Sequence, residues 1–166
     1  MLENLKEEIC LANQQLPSSG LVKLTWGNVS GIDKDKGIFG IKPSGIDYND
    51  LKPSDIVLVD MEGQKVEGNL NPSSDTKTHL ELYKAWPEIG GITHTHSLSA
   101  TTLAQTGKEL PCFGTTHADH FYGTVPVCRA LNQSELADDY EKNTGVIIVK
   151  HFLENDIDPI KIPAIL

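Results

Sequence analysis

The stretch Gly90-Gly91-Ile92-Thr93-His94-Thr95-His96-Ser97 reads as a β-strand over residues 92–96, entered from a glycine pair. Side chains two apart on a strand point to one face, so His94 and His96 can share a single ion. A tetrahedral zinc or similar cation takes nitrogen ligands at roughly 2.0–2.1 Å, and strand spacing lets two rings converge on that point if a third ligand meets them. The same pattern also fits two histidines on a polar strand face, each hydrogen-bonded to its neighbours.

Outward from this strand, Asp75 to Trp86 reads as a helix, with Asp75 or a neighbouring serine as N-cap and Pro87 just past its end. Residues 97–105 predict another helix, stopped by Gly107. Val22 to Trp26 and Ile38 to Lys42 read as strands around the polar turn Asp33-Lys34-Asp35-Lys36-Gly37. Ile56 to Val59 and Lys65 to Glu67 read likewise around Glu62-Gly63-Gln64. At the start, Leu2, Leu5, Ile9, Ala12 and Leu16 fall at helical spacing, and residues 17–20 end that helix. Val125 to Cys128 and Val146 to Val149 predict further strands, and Asn132 with Glu135 fits a capping box opening a helix to Lys142. The closing apolar stretch, Ile160 to Leu166, reads either as an edge strand or as an element interrupted by truncation. Strands in sequential hairpins with helices between them point to an α/β fold, its mixed or antiparallel sheet covered on both faces, rather than to a regular βαβ wind.

A length of 166 residues fits one domain, here 1–166, and needs no disulfide staples. The three cysteines, Cys10, Cys112 and Cys128, form no Cys-x-x-Cys pair, which fits a reducing cytoplasm. The opening Met1-Leu2-Glu3-Asn4-Leu5-Lys6-Glu7-Glu8 is charged where a signal peptide would be apolar, and no run reaches membrane-spanning length. With 23 acidic against 14 basic residues and a net charge of −9, the long-range field repels polyanions, so neither nucleic acid nor membrane is an expected partner. A small anionic substrate stays compatible, because backbone N–H groups, hydroxyls and one cation suffice to hold a phosphate.

Three small polar loops supply such groups: Gly27-Asn28-Val29-Ser30, Lys42-Pro43-Ser44-Gly45 and Pro72-Ser73-Ser74-Asp75. Singly each is ordinary turn chemistry; together they offer amide, hydroxyl and backbone donors with one ammonium, Lys42. The segment from Gly114 to Gly123 adds His117, Asp119, His120 and Tyr122, in which Asp119 beside imidazoles could act as a general base. The same residues could simply cap turns. His79 and His151 fall on expected helices and read as structural or exposed.

Taken together, Leu24-Thr25-Trp26-Gly27-Asn28-Val29-Ser30, Ile41-Lys42-Pro43-Ser44-Gly45, Pro72-Ser73-Ser74-Asp75-Thr76, His94-Thr95-His96-Ser97 and Gly114-Thr115-Thr116-His117-Ala118-Asp119 resemble the class II aldolase/adducin family along essentially the whole chain. Trp26 and the Thr-Thr-His-Ala-Asp string resemble its L-ribulose-5-phosphate 4-epimerases more than its aldolases. The resemblance implies a three-layer α/β/α domain with a mostly antiparallel sheet, assembled as a homotetramer with active sites between subunits. It implies zinc, or another divalent ion such as manganese, on His94 and His96 with Asp75 close by. Asn28, Lys42, Ser44, Gly45, Ser73 and Ser74 match the family's phosphate-binding positions. Thr115, Asp119 and Glu141 would come from the neighbouring subunit, with Asp119 as the base. The implied reaction is epimerisation of a sugar phosphate, L-ribulose 5-phosphate, by retro-aldol cleavage and re-formation of the C3–C4 bond.

One departure stands out: the family's third metal histidine and its late tyrosine have no counterpart in these residues, and His120 or Asp75 would have to complete a weaker site. The chain is therefore expected to be the N-terminal part of a longer epimerase. An aldolase of the L-fuculose-1-phosphate type and a catalytically inactive adducin-like interaction module are the competing readings. A His-x-His dioxygenase of the cupin type is disfavoured, since no glutamate follows His96 at the short spacing it needs.

Overall fold

Two glycines, Gly31 and Gly40, sit opposite each other on neighbouring strands and make the notch into which the first helix packs. A Cβ on Gly40 would stand 2.7 Å from Ile9 Cδ1 and one on Gly31 would stand 3.2 Å from Ile9 Cγ1, so a side chain at either position would force Ile9 to shift in its seat against the sheet. The computed structural model describes residues 2–166, which divide into two compact units, Met1–Ser97 and Leu98–Leu166.

The first unit runs α1 (Leu2–Ser18), β1 (Asn28–Asp33), β2 (Ile38–Ile41), a 3₁₀ turn at Pro53–Asp55, β3 (Val57–Asp60), β4 (Lys65–Glu67), α2 (Thr76–Ala85) and β5 (Gly91–His94). Its sheet has the order β4-β3-β2-β1-β5 with every neighbouring pair antiparallel. Period-two alternation decides what each face buries. Phe39 pairs with Val59 and Ile41 with Val57, and these four pack with Leu80 and Tyr83 of α2. On the opposite face, Ile9 and Cys10 of α1 cluster with Leu51 and Ile56. The unit is thus helix, sheet, helix: the expected α/β/α layering around an antiparallel sheet.

The first hairpin strand differs from expectation. It is Asn28–Asp33, not residues 22–26, which make a turn. Asn13, buried on α1, explains this: its side chain accepts from Val29 N at 2.8 Å and donates to Val29 O at 2.9 Å, so both backbone groups of a residue in a turn-like sequence are claimed in an extended conformation. The strand expected over 92–96 ends at His94, leaving His96 beyond it.

The second unit consists of α3 (Leu98–Thr106), α4 (Thr115–Ala118), α5 (Gln133–Asp138) and α6 (Tyr140–Glu154). The capping box is present: Asn132 Oδ1 accepts from Glu135 N at 3.0 Å while Asn132 N donates to Glu135 Oε2 at 2.8 Å. That helix ends at Asp138 rather than Lys142, because the chain breaks at Asp139, which caps α6 through Lys142 N. Two expected strands are not strands. Val125 makes only an isolated bridge to Leu110, and Val146 to Val149 lie inside α6, where the 3.6-residue repeat buries Ile147 and Phe152, overriding β-branched propensity. The 160–166 stretch is irregular, although Leu166 exchanges backbone bonds with Pro126 O at 2.9 Å and Cys128 N at 2.7 Å. All three cysteines are free, and no helix among the described residues is long and apolar enough to cross a membrane.

Candidate active site

Strand register begins the site. Asn28, the first residue of β1, pairs with His94, the last of β5, which puts a carboxamide beside an imidazole at one end of the sheet. Asp75, at the start of α2, meets both: Asn28 Nδ2 donates to Asp75 Oδ2 at 2.6 Å, and His94 Nδ1 lies 2.7 Å from the same oxygen. A carboxylate there makes Nδ1 the donor and leaves the lone pair of the other ring nitrogen, Nε2, for a cation. Burial alone would raise the Asp75 carboxyl, but the hydrogen bond and charge of His94, with the Asn28 bond, hold it below the usual carboxylate range.

His96 reaches the same place by another route. Its backbone N–H donates to Leu21 O at 2.8 Å, and this tie brings its ring within 4.8 Å of the His94 ring, centroid to centroid, at 39°. Trp26 packs on its other side at 5.5 Å. Burial, reinforced by the neighbouring His94, lowers the affinity of His96 for a proton, which favours the neutral imidazole that a metal needs.

The other end of the cleft is built by two loops joined backbone to backbone. Ser73 N donates to Lys42 O and Ser44 N to Asn71 O, both at 3.1 Å, around a bridge between Pro43 and Pro72. Lys42 is only 2% exposed, and its Nζ donates to Pro43 O at 3.4 Å and lies 4.8 Å over the Tyr48 ring. Burial lowers its pKa against the opposing pull of Asp47. Gly45 takes φ +75, the left-handed region that favours glycine, and lets the loop turn under the cleft. The open cleft, about 400 Å³, is lined by Thr25, Trp26, Gly27, Asn28, Lys42, Pro43, Ser44, Gly45, Ser73, Ser74, Asp75, His94 and His96. Every metal and phosphate position expected in the first 97 residues therefore faces one cleft. Asn28 Oδ1 is buried there without a partner, its amide held the other way round by Asp75.

Thr115, Asp119 and Glu141 belong to the second unit. Thr115 opens α4 and Asp119 closes it, with Asp119 N bonded to Thr115 O at 2.8 Å, and both are exposed; Glu141 lies in the first turn of α6. His117 does not sit free, since its Nε2 donates to Gly123 O.

As a test of metal fit, the donor chemistry is right but the set is short. Two imidazoles lie 4.8 Å apart with a carboxylate bonded to one of them, yet no three His, Cys, Asp or Glu groups among the described residues are arranged to hold an ion. Asp75 bonds to His94 Nδ1, the side of the ring from which a carboxylate fixes an imidazole's orientation.

Sequence reading missed the buried trio beneath this cluster. Ser30 Oγ lies 2.7 Å from His79 Nδ1 and 2.8 Å from Tyr83 Oη, tying β1 to α2 just below Asn28 and Asp75. The i, i+4 spacing of His79 and Tyr83 on a helix was the available signal. Burial pushes the His79 pKa down to about 4, against the pull of Asp75. The unfolded chain would bind this proton near pH 6.5, so the folded state loses stability as pH falls from about 6.5 toward about 4. Urea unfolding of the wild type at pH 7 and pH 4.5 should show that loss, and His79→Gln should flatten it.

A family model, Class II Aldolase and Adducin N-terminal domain, matches residues 7–152. The chain belongs to the class II aldolase/adducin family. Solved structures agree. An L-fuculose 1-phosphate aldolase is 28% identical with TM-score 0.73, the match covering 96% of this chain and 91% of that one. YgbL from Klebsiella pneumoniae (22% identity, TM-score 0.72, 90% and 72% covered) and L-fuculose-1-phosphate aldolase from Thermus thermophilus (24%, 0.71, 92% and 72%) share the fold. Membership in this class II aldolase/adducin family is consistent with divalent-metal-dependent aldolase or epimerase chemistry on sugar phosphates, with the substrate left open.

Proposed function

We propose that this class II aldolase/adducin protein is an enzyme interconverting L-ribulose 5-phosphate and D-xylulose 5-phosphate by cleaving and re-forming the C3–C4 bond. The observation that carries this reading is the two-ended cleft, with paired imidazoles at one end and Lys42 among hydroxyls and backbone donors at the other. Such a cleft suits a short chain with a carbonyl at one end and a phosphate at the other.

His94 and His96 would hold the zinc or manganese ion, with Asp75 fixing the His94 ring, and further positions would be filled from outside the described residues. When bound, the ion supplies Lewis acidity at the ketose carbonyl. Lys42, Ser44, Gly45, Ser73 and Ser74, with Asn28 on the cleft wall beside them, would grip the phosphate so that the cleaved aldehyde turns over without escaping. Asp119 would take the proton of the C4 hydroxyl as C3–C4 breaks; once the aldehyde has turned over, its oxygen faces away from Asp119, and a second acid from outside the described residues would protonate it as the bond re-forms. In this reading Asp119, Thr115 and Glu141 reach the cleft from a neighbouring subunit of a homotetramer in the cytoplasm.

A second reading, cleavage of a ketose phosphate of the L-fuculose 1-phosphate type, draws on the names of the structural neighbours. One assay separates them. With zinc or manganese present, L-ribulose 5-phosphate should yield D-xylulose 5-phosphate without free glycolaldehyde phosphate; accumulation of aldehyde, or turnover only of L-fuculose 1-phosphate, favours the aldolase. Lys42→Met should raise KM about tenfold or more with a smaller change in kcat, since a phosphate contact is made in ground and transition states alike. An unchanged KM would remove Lys42 from the grip.

A further inference from the structure

Tyr48 lies in no loop singled out by the sequence, yet it touches both ends of the cleft. It is 2% exposed, packed with Leu16 and Val22, and partly buried Val29 packs against that cluster. Its hydroxyl lies 2.8 Å from both Trp26 O and Gly27 O, the two carbonyls immediately before Asn28, and its one proton is shared between them. Its ring lies 4.8 Å beneath the Lys42 ammonium, inside the range of about 6 Å over which an aromatic face attracts a cation.

A lysine side chain has four rotatable carbons and no fixed direction, so a buried ammonium is aimed only by what surrounds it. Pro43 O at 3.4 Å is a weak restraint. The Tyr48 ring is the firmer one, because it is itself fixed by its apolar cluster and by a hydroxyl proton shared between two backbone carbonyls. Removing the hydroxyl leaves the ring in its apolar cluster; removing the ring leaves Lys42 to swing.

We propose that Tyr48 is a positioning residue that aims the Lys42 ammonium into the cleft through its ring, while its hydroxyl holds the 26–27 turn on which Asn28 depends. The proposal rests on Lys42 being the cation of the phosphate grip, and inorganic phosphate is the probe. Titration of the full chain should give about tenfold weaker phosphate binding for Tyr48→Leu, which keeps apolar volume but loses the π face. Tyr48→Phe should bind phosphate within about twofold of wild type while melting at a lower temperature, because two carbonyls lose their donor. In a Lys42→Met background, Tyr48→Leu should have no further effect on phosphate.

Equal phosphate affinity for wild type and Tyr48→Leu, with Lys42→Met impaired, would overturn the aiming role and leave the grip intact. Equal losses in Tyr48→Phe and Tyr48→Leu would reduce Tyr48 to a structural residue. Wild type and Lys42→Met binding phosphate alike would instead defeat the grip itself. Should Tyr48→Leu fail to fold, the wild type alone still decides: the Lys42 Hε protons must resonate upfield of those of exposed lysines, as ring current over Tyr48 requires, and an ordinary shift refutes the contact.

Discussion

His94→Ala should lower kcat/KM by about three orders of magnitude, and bound zinc should fall with it. Lewis-acid polarisation of a carbonyl is worth several kcal/mol, and about 4 kcal/mol corresponds to that thousandfold. His94 is the member of the imidazole pair whose orientation is fixed, by the 2.7 Å contact with Asp75 and by its register against Asn28. Its loss removes one of only two imidazoles that face each other in the cleft. His96→Ala should act in the same direction. Asp75→Asn should cost less, about 10- to 100-fold, since it disturbs the ligand's orientation rather than deleting it. Zinc content by mass spectrometry and steady-state kinetics on the same preparations check all three. Full activity in His94→Ala, with zinc still bound, would show that the imidazole pair is not the metal end of the cleft.

The sequence made some of this plain and concealed the rest for physical reasons. The turns at Asp33 to Gly37 and Glu62 to Gln64, with strands β2, β3 and β4 beside them, were legible because polar turns punctuate apolar alternation, and α2 was legible because Asp75 and Pro87 bracket its repeat. Strand β1 was concealed because Asn28, Ser30 and Gly31 have little intrinsic preference for a strand. Its extended form is imposed by Asn13 from a helix and by the glycine notch under Ile9, contacts that no local window contains. Val146 to Val149 misled in the opposite sense, a β-branched run carried by a helix.

The histidine pair was found by an argument only half of which holds. Strand alternation was expected to place both rings on one face, yet β5 ends at His94, and the rings meet because Leu21 O captures the backbone of His96. The polar loops were readable as a set, and the cleft unites them. Tyr48 and the Ser30–His79–Tyr83 trio carried no sequence signal beyond helical spacing, since their roles arise from packing across the sheet.

Gly27→Ala tests whether the turn before Asn28 is as tightly determined as this geometry requires. Gly27 has φ +93, a conformation that costs an L-residue about 1–2 kcal/mol before any contact is considered. An added Cβ would also stand 2.8 Å from His94 O and 2.8 Å from Val22 Cγ1. The first of these is backbone and cannot rotate away, so β1 and β5 would have to part at the register pair that brings Asn28 to His94. Strain and displacement together should destabilise the fold by about 3 kcal/mol and, more tellingly, impair zinc and phosphate binding at once. Gly20→Ala is the control: it too has positive φ, +68, but it lies outside the cleft and its Cβ would meet nothing within 4 Å, so only the conformational cost applies. Denaturant unfolding with zinc and phosphate titrations on both variants gives the comparison. If Gly27→Ala is no more damaging than Gly20→Ala, the close approach of the turn to His94 is not what holds the two ends of the cleft together.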